Sequence, residues 1–508
     1  MKTRPFWTRL TTGHLLALFP VGLLCVAALA PVDETDLWWH LKAGEWMLDH
    51  RAIPRTGLWS WVGETRPWVT HEWLFEVGAA ALYRLAGAGG LILAKVLLVA
   101  LTFALVQRHA RLRSGSAAVA AVVTVAAGIA SWPFWSERPQ LITYALAAWF
   151  LLTLDRWQRG ERAHVWVLAP AVMVWGNLHG GYMLAFLLFA VYFLGEAGAQ
   201  AWGRWRGEGA RWEKLRHLGV VGAASAALAV INPHGPEILA YPFRYVGSSW
   251  LTRFVSEWQS PNFREVHFQI VAAFLLGTVA VLAASPLRPR ASQVLLALLL
   301  TFMGLHSLRN LPLMILGLAP LLSEHLRALA DHAAAARAVP APPAADSGHL
   351  WPANWAILAM LPLLIAVQAQ RCRRESVRTT NLPAEAVRYL EEHPLPGRML
   401  NHYDWGGYLI WKLAPRTQVF IDGRLDIYGP KVADDYGKMH FIQPEWRRVL
   451  DRYRFDWVIW RRDGALAQIL AVSPDWERIY RDPRAVIFVR RGGQGVPASD
   501  AAPDGRSR

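Results

Sequence analysis

The sequence predicts a polytopic α-helical membrane protein of about eleven transmembrane helices, followed by a small soluble α/β domain at the C-terminus. Three observations carry this reading. Hydrophobic residues make up 54% of the chain and charged residues only 18%, where a soluble domain has about 25% charged. Apolar runs of membrane-crossing length recur through residues 1–370. From residue 371 onward the composition becomes that of a soluble protein.

A span needs about 20 mostly apolar residues. Such runs lie near 11–31, 88–107, 117–135, 139–155, 163–178, 180–198, 216–232, 267–285, 290–305, 308–325 and 353–370. Residues 72–86 are also helical in pattern but carry Glu72, Glu76 and Arg84, which places them as a helix lying at the membrane interface. The first run reads either as an uncleaved span or as a signal peptide ending at Ala28-Leu29-Ala30. Both readings send residue 32 outside.

Arginine and lysine fix the orientation. Arg108, Arg111 and Arg113, then Arg156, Arg159 and Arg162, then Arg204, Arg206, Arg211, Lys214 and Arg216 fall in alternate loops. Arg288, Arg290, Arg327 and Arg337 continue the series, whereas the segments expected outside hold Arg138 alone, none at 177–181, and Arg309 alone, and in the first outer loop acids outnumber the several bases. Cytoplasmic loops collect positive charge, so the N-terminus is expected in the cytoplasm and the C-terminal domain outside. The same alternation accounts for the net charge of +15 and excludes nucleic acid as the partner, because the bases do not gather on one face. Two cysteines, Cys25 and Cys372, are too few for a disulfide framework or a cysteine-rich metal site. The 27 tryptophans suit interfacial belts and stacking platforms alike.

The domain plan is therefore a membrane domain over 1–370, with a first outer loop at 32–87 and an inner Ala/Pro-rich linker at 331–352 expected to be disordered. An extracytoplasmic α/β domain covers 371–492 and a disordered tail 493–508. Within the α/β domain, PAEAVRYLEEH reads as a helix, TQVFIDGR as a strand, WRRVLDRYRFDWVIW as helix then strand, and RAVIFVRR as a last strand.

Polar clusters fall on the predicted outer side: DETDLWWHLKAGEW (33–46), PWVTHEW (67–73), SERPQ (136–140), NLHGGY (177–182), NPHGPE (232–237), SEWQSPNF (256–263) and LRNLP (308–312). Groups that merely tied off helix ends would appear on both faces. One-sidedness points to a shared outer cavity, and ionisable groups at the bilayer are functional candidates. Asp33, Glu34 and Asp36 are suited to general-base work or to a divalent ion such as Mg or Mn at Asp33 and Asp36; Asp36 can equally cap the helix that follows. His179 and His234 serve either catalysis or structure. Asn177, Asn232 and Asn262 can bond sugar hydroxyls or cap helices. Arg309 can bind phosphate or snorkel. In the outer domain, Asp404, Trp405, Asp422, Arg424, Asp426 and Tyr428 form a polar and aromatic set suited to a glycan acceptor, while the glycines of GGY and DGR also read as turn chemistry. No GxGxxG, P-loop, HExxH or CxxC is present, which argues against nucleotide-dependent chemistry.

An acidic motif directly after the first span, an interfacial helix with His near its start, many spans and an outer C-terminal domain resemble the GT-C superfamily of membrane glycosyltransferases. The resemblance to protein O-mannosyltransferases and the lipid A aminoarabinose transferase is most specific at DETDLWWHLKAGEWML and HEWLFE. The string NHYDWGGYLIWKL…VFIDGRLDIYG also resembles bacterial membrane proteins of this type. It implies an inverting transfer of sugar from a polyprenyl-phosphate donor to a glycan, lipid or protein acceptor, at the outer face of a bacterial inner membrane. By the same resemblance Asp36 or Asp33 orients or deprotonates the acceptor, Glu137 is the second outer-loop acid, and His71 or Arg138 meets the lipid phosphate. Where the aminoarabinose relatives have Lys, this sequence has His71. Trp38 and Trp39 are expected on the acceptor side. The competing readings are an O-antigen polymerase or ligase and a lipid-linked glycan transporter or flippase; no internal repeat of transporter type is visible.

Overall fold

All eleven apolar runs fold as helices. The computed structural model describes residues 10–207, 212–244, 255–337 and 351–492; the tail expected at 493–508 and most of the expected linker lie outside them. Among the described residues, six helices are long and apolar enough to cross a membrane, the longest being Trp73–Ser114 and Leu308–Ala336. Three shorter apolar helices, Thr12–Ala28, Val165–Leu178 and Ala291–His306, accompany them. The chain is a multi-pass membrane protein.

Two compact units divide the described residues: a helical unit drawn from Met1–Val32, His71–Phe75 and Leu82–Val377, and an α/β unit drawn from Asp33–Thr70, Glu76–Ala81 and Arg378–Arg508. The sequence explains the punctuation within the first. Ser116 accepts a hydrogen bond from the Val119 N–H and so starts the helix Ala117–Ser131. One expectation is borne out and one is corrected here. The helix expected at 72–86 and the span expected from 88 are two helices within Trp73–Ser114, parted by the non-helical backbone of Gly87 (φ 58°). The expected disorder from 331 does not begin there, because Leu311–Ala336 stays helical through its alanine-rich end.

On the side of this unit away from the polar clusters, Asp155 lies 2.6 Å from Arg113 and 3.1 Å from His109. Arg113 also reaches Glu324, which accepts from the Gln293 side-chain amide at 2.8 Å. Four helices are tied by this knot, and pairing makes burial of its charges tolerable.

The α/β unit holds a four-stranded sheet of order β1-β2-β4-β3, with β1 Met399–Asn401, β2 Trp457–Arg461, β3 Trp476–Arg481 and β4 Ala485–Arg490. β1 and β2 run parallel; β4 is antiparallel to both of its neighbours. Helices Leu37–His50, Ala384–Glu392, Gly406–Leu413, Leu425–His440, Trp446–Tyr453 and Ala465–Leu470 complete it. TQVFIDGR is not a strand. Its backbone is instead claimed by the Asn401 side chain, which accepts from Phe420 N–H at 2.8 Å and donates to Ile421 O at 2.8 Å. Val419 makes only a single bridge, to Ser60.

Candidate active site

The helical unit brings three of the polar motifs into one knot. Glu72 Oε1 lies 3.5 Å from Nε2 of both His71 and His179. His179 caps the helix Leu168–Leu178 in extended backbone, and its Nδ1 accepts from the Gly181 N–H at 3.1 Å. With Nδ1 occupied as acceptor, the Nε2 proton faces Glu72. Thr143 completes the relay: its hydroxyl bonds His179 Nδ1 at 2.7 Å and accepts from Trp175 Nε1 at 2.8 Å. Gly181 is required at this spot, since a Cβ there would meet Thr143 Oγ1 at 2.6 Å. The His71 ring packs against Tyr241 at 4.9 Å.

Asn177 holds the knot together. Its Oδ1 accepts from Trp73 Nε1 at 2.8 Å and from Asn232 Nδ2 at 3.1 Å, while its Nδ2 donates to Met173 O and Ile231 O. Its hydrogen-bonding capacity is spent on positioning. Asn232 also accepts from the His234 backbone N–H at 3.0 Å, which seats NPHG beside NLHG.

A second knot joins SERPQ, SEWQ and LRN. Arg138 pairs with Glu257, whose carbonyl accepts from the Ser307 hydroxyl at 2.8 Å. Arg309 stacks over Trp258 at 4.8 Å and makes no ion pair among the described residues. Glu137, expected as a catalytic acid, is buried and paired with Lys95.

In the α/β unit, Asp33 accepts from Arg378 at 2.7 Å and from Asn381 at 3.4 Å, and Glu34 accepts from the Asp36 N–H at 3.1 Å. Asp36 precedes the helix Leu37–His50 but makes no side-chain cap bond to it. It lies instead against Gly423 and Trp39; a Cβ at Gly423 would come 2.2 Å from Asp36 Oδ1. Asp36 and the DGR string therefore pack directly on one another. Among the described residues no group of three or more His, Cys, Asp or Glu is placed to hold a metal, and Asp33 is paired with Arg378.

Of the other expected acceptor contacts, Asp422, Arg424, Trp38 and Trp39 are enclosed. Asp422 and Arg424 pair at 2.7 Å with both side chains 0% exposed. Arg424 further donates to Leu58 O at 2.9 Å and lies over Trp59 and Trp68. Burial would raise the Asp422 carboxyl, but the Arg424 charge and hydrogen bonds from Arg424 and Tyr428 outweigh it and hold the group below its ordinary range. Trp38 and Trp39 are buried, Trp38 edge-on to Tyr408 at 5.5 Å and Trp39 to Trp68 at 6.4 Å. They serve as core rather than as a sugar platform. Asp404 is exposed, 3.7 Å from the ring of His402.

No family model and no curated protein matches the sequence. Solved structures do. The oligosaccharyltransferase AglB from Archaeoglobus fulgidus, in complex with an inhibitory peptide and a dolichol-phosphate, aligns over 95% of this chain and 75% of its own at 10% identity and TM-score 0.55. The apo form of the oligosaccharyltransferase from Archaeoglobus fulgidus aligns over 88% and 69% at 11% identity and TM-score 0.56. The fold is GT-C. ArnT from Cupriavidus metallidurans bound to undecaprenyl phosphate covers 96% of this chain and 98% of its own, at 16% identity and TM-score 0.48.

Sequence reading missed Lys95, Glu257 and the position of Glu72 between two imidazoles. Lys95 carried a signal, since a lone lysine inside an apolar run is itself a candidate. Glu257 carried none, because nothing in its own segment names Arg138.

Proposed function

We propose that the protein is a glycosyltransferase that moves a sugar from a polyprenyl-phosphate carrier to an acceptor hydroxyl at the outer face of a bacterial inner membrane, with the N-terminus cytoplasmic and the α/β unit outside. The observation that carries this reading is the gathering of six outer motifs into two polar knots on a GT-C fold, one of them presenting Arg309 without an ion pair among the described residues. AglB was solved with a dolichol-phosphate and ArnT with undecaprenyl phosphate.

The outer face supplies no nucleotide sugars, so the donor is carried on a lipid. In the transfer, the acceptor oxygen bonds to the anomeric carbon, the bond from that carbon to the phosphate oxygen breaks, and polyprenyl phosphate departs with the electron pair. Its growing charge is met by Arg309 and by His71, whose ring Glu72 orients. Arg138, tied to Glu257, buttresses the same loops. The acceptor proton passes to a carboxylate, for which Asp36 is proposed.

The test supplies a radiolabelled polyprenyl-phosphate sugar and a mixture of envelope acceptors to protein in nanodiscs. Polyprenyl phosphate should be released only when acceptor is present, and Asp36→Asn and Glu72→Gln should each lower kcat by about 100-fold or more. Movement of the intact lipid-linked sugar across the bilayer without cleavage would replace this reading by a transporter.

A further inference from the structure

The parallel pair β1 and β2 ends at Asn401 and Arg461, and ligands of open α/β sheets gather at the carboxyl ends of such strands. A cleft of about 480 Å³ opens at this edge, lined by Asn381, Trp405, Arg461, Arg462, Asp463 and Arg484 among others. Arg461 and Arg462 arrive at the end of β2. Arg484 precedes β4, whose first residue Ala485 is in register with Arg461, so the antiparallel pairing brings the third guanidinium to the same end.

Three arginines and one acid, Asp463, line the cleft. Asp463 lies 3.6 Å from Arg461 and is 81% exposed, which screens the pair strongly. Arg484 is aimed by a 2.8 Å bond to Thr379 O, and Arg462 makes no ion pair among the described residues. Three guanidinium groups at one cleft repel one another unless an anion lies between them. The surrounding donors suit hydroxyls: the Asn381 and Gln468 amides and the Thr380 hydroxyl line the same cleft. The Trp405 indole, bonded to Asn381 O at 2.9 Å, fixes its floor.

We propose that this cleft binds an acidic saccharide, a sugar bearing a phosphate or carboxylate, through Arg461, Arg462 and Arg484. Binding follows from the cleft alone; its role as acceptor site rests on the transferase reading.

Calorimetric titration of the full chain in nanodiscs of neutral phosphatidylcholine tests it, with glucose 6-phosphate, glucuronate, glucose and inorganic phosphate as probes. At least one of the two acidic sugars should bind, glucose should not, and the tighter of the two tells phosphate from carboxylate. Arg461→Gln and Arg462→Gln, both at exposed positions, should each weaken binding about tenfold, and affinity should fall as salt rises. Binding of inorganic phosphate as tight as that of the sugars, glucose binding equal to theirs, or double-variant affinity equal to wild type would each overturn the proposal. Polyprenyl phosphate binding is measured in parallel; its loss with acidic-sugar binding intact overturns the transferase reading alone.

Discussion

Lys95 Nζ lies 2.5 Å from Glu137 Oε1, and each side chain is 4% exposed. Lys95 also donates to Ala30 O at 3.1 Å, so this one side chain fastens the end of the first helix to the loop before Gln140–Gln158. An ion pair this enclosed is costly to break and inexpensive to replace. Lys95→Met and Glu137→Gln are each expected to lose about 3–5 kcal/mol, with the double variant Lys95→Met/Glu137→Leu regaining most of it. Unfolding in detergent, followed by tryptophan fluorescence, measures this; strictly additive losses would assign Glu137 a role outside the pair.

Arg309→Ala should weaken polyprenyl phosphate binding by about 10–100-fold, the loss of one charge-assisted hydrogen bond worth about 1.5–3 kcal/mol. Arg309→Lys should keep part of it. Native mass spectrometry of protein titrated with polyprenyl phosphate reads the change. Unfolding midpoints of both variants should stay near wild type, because the guanidinium stacks on Trp258 at a partly exposed position.

Asp422→Asn should destabilise the α/β unit by about 3–5 kcal/mol, since it leaves Arg424 buried without its counter-charge. Polyprenyl phosphate binding should be unaffected. Hydrogen exchange over 399–490 checks the first expectation and native mass spectrometry the second. Loss of lipid-phosphate binding with normal exchange protection would restore a ligand role to this pair.

His402 gives the α/β unit a pH dependence. Burial, and then the charges of His440 and Arg461, lower its folded pKa from 6.5 to about 3. Because the folded value lies below the unfolded one, the unfolded chain binds the extra proton between these limits. Stability contributed by the neutral ring is complete above pH 6.5 and falls as the pH drops toward 3. The loss should reach about 2 kcal/mol by pH 5. Denaturant unfolding at pH 7, 6 and 5 should show the slope in wild type and a flatter one in His402→Leu.

The helices were legible because a membrane span announces itself as a long apolar window, and the polar motifs because ionisable residues stand out between such windows. Pairing was not legible. Nothing around Glu137 marks Lys95 as its partner, and Arg138 reads as a phosphate ligand until Glu257 is found beside it. Trp38 and Trp39 followed the acids closely enough to suggest a sugar platform, yet an aromatic core has the same composition as an aromatic surface. TQVFIDGR has the β-branched and aromatic content of a strand, and only the distant Asn401 amide, by taking up its backbone groups, decides otherwise.

The α/β unit is built from Asp33–Thr70 together with residues from Arg378 onward. A ribosome adding about 5–20 residues each second therefore makes the acidic segment on the order of 15–60 s before the strands it packs with exist. During that interval Trp38, Trp39 and Trp68 have no sheet unit to bury them, and the segment is a natural client for chaperones. Nonsense mutations anywhere upstream of Arg378 should thus yield products cleared by quality control, however completely their helices have inserted.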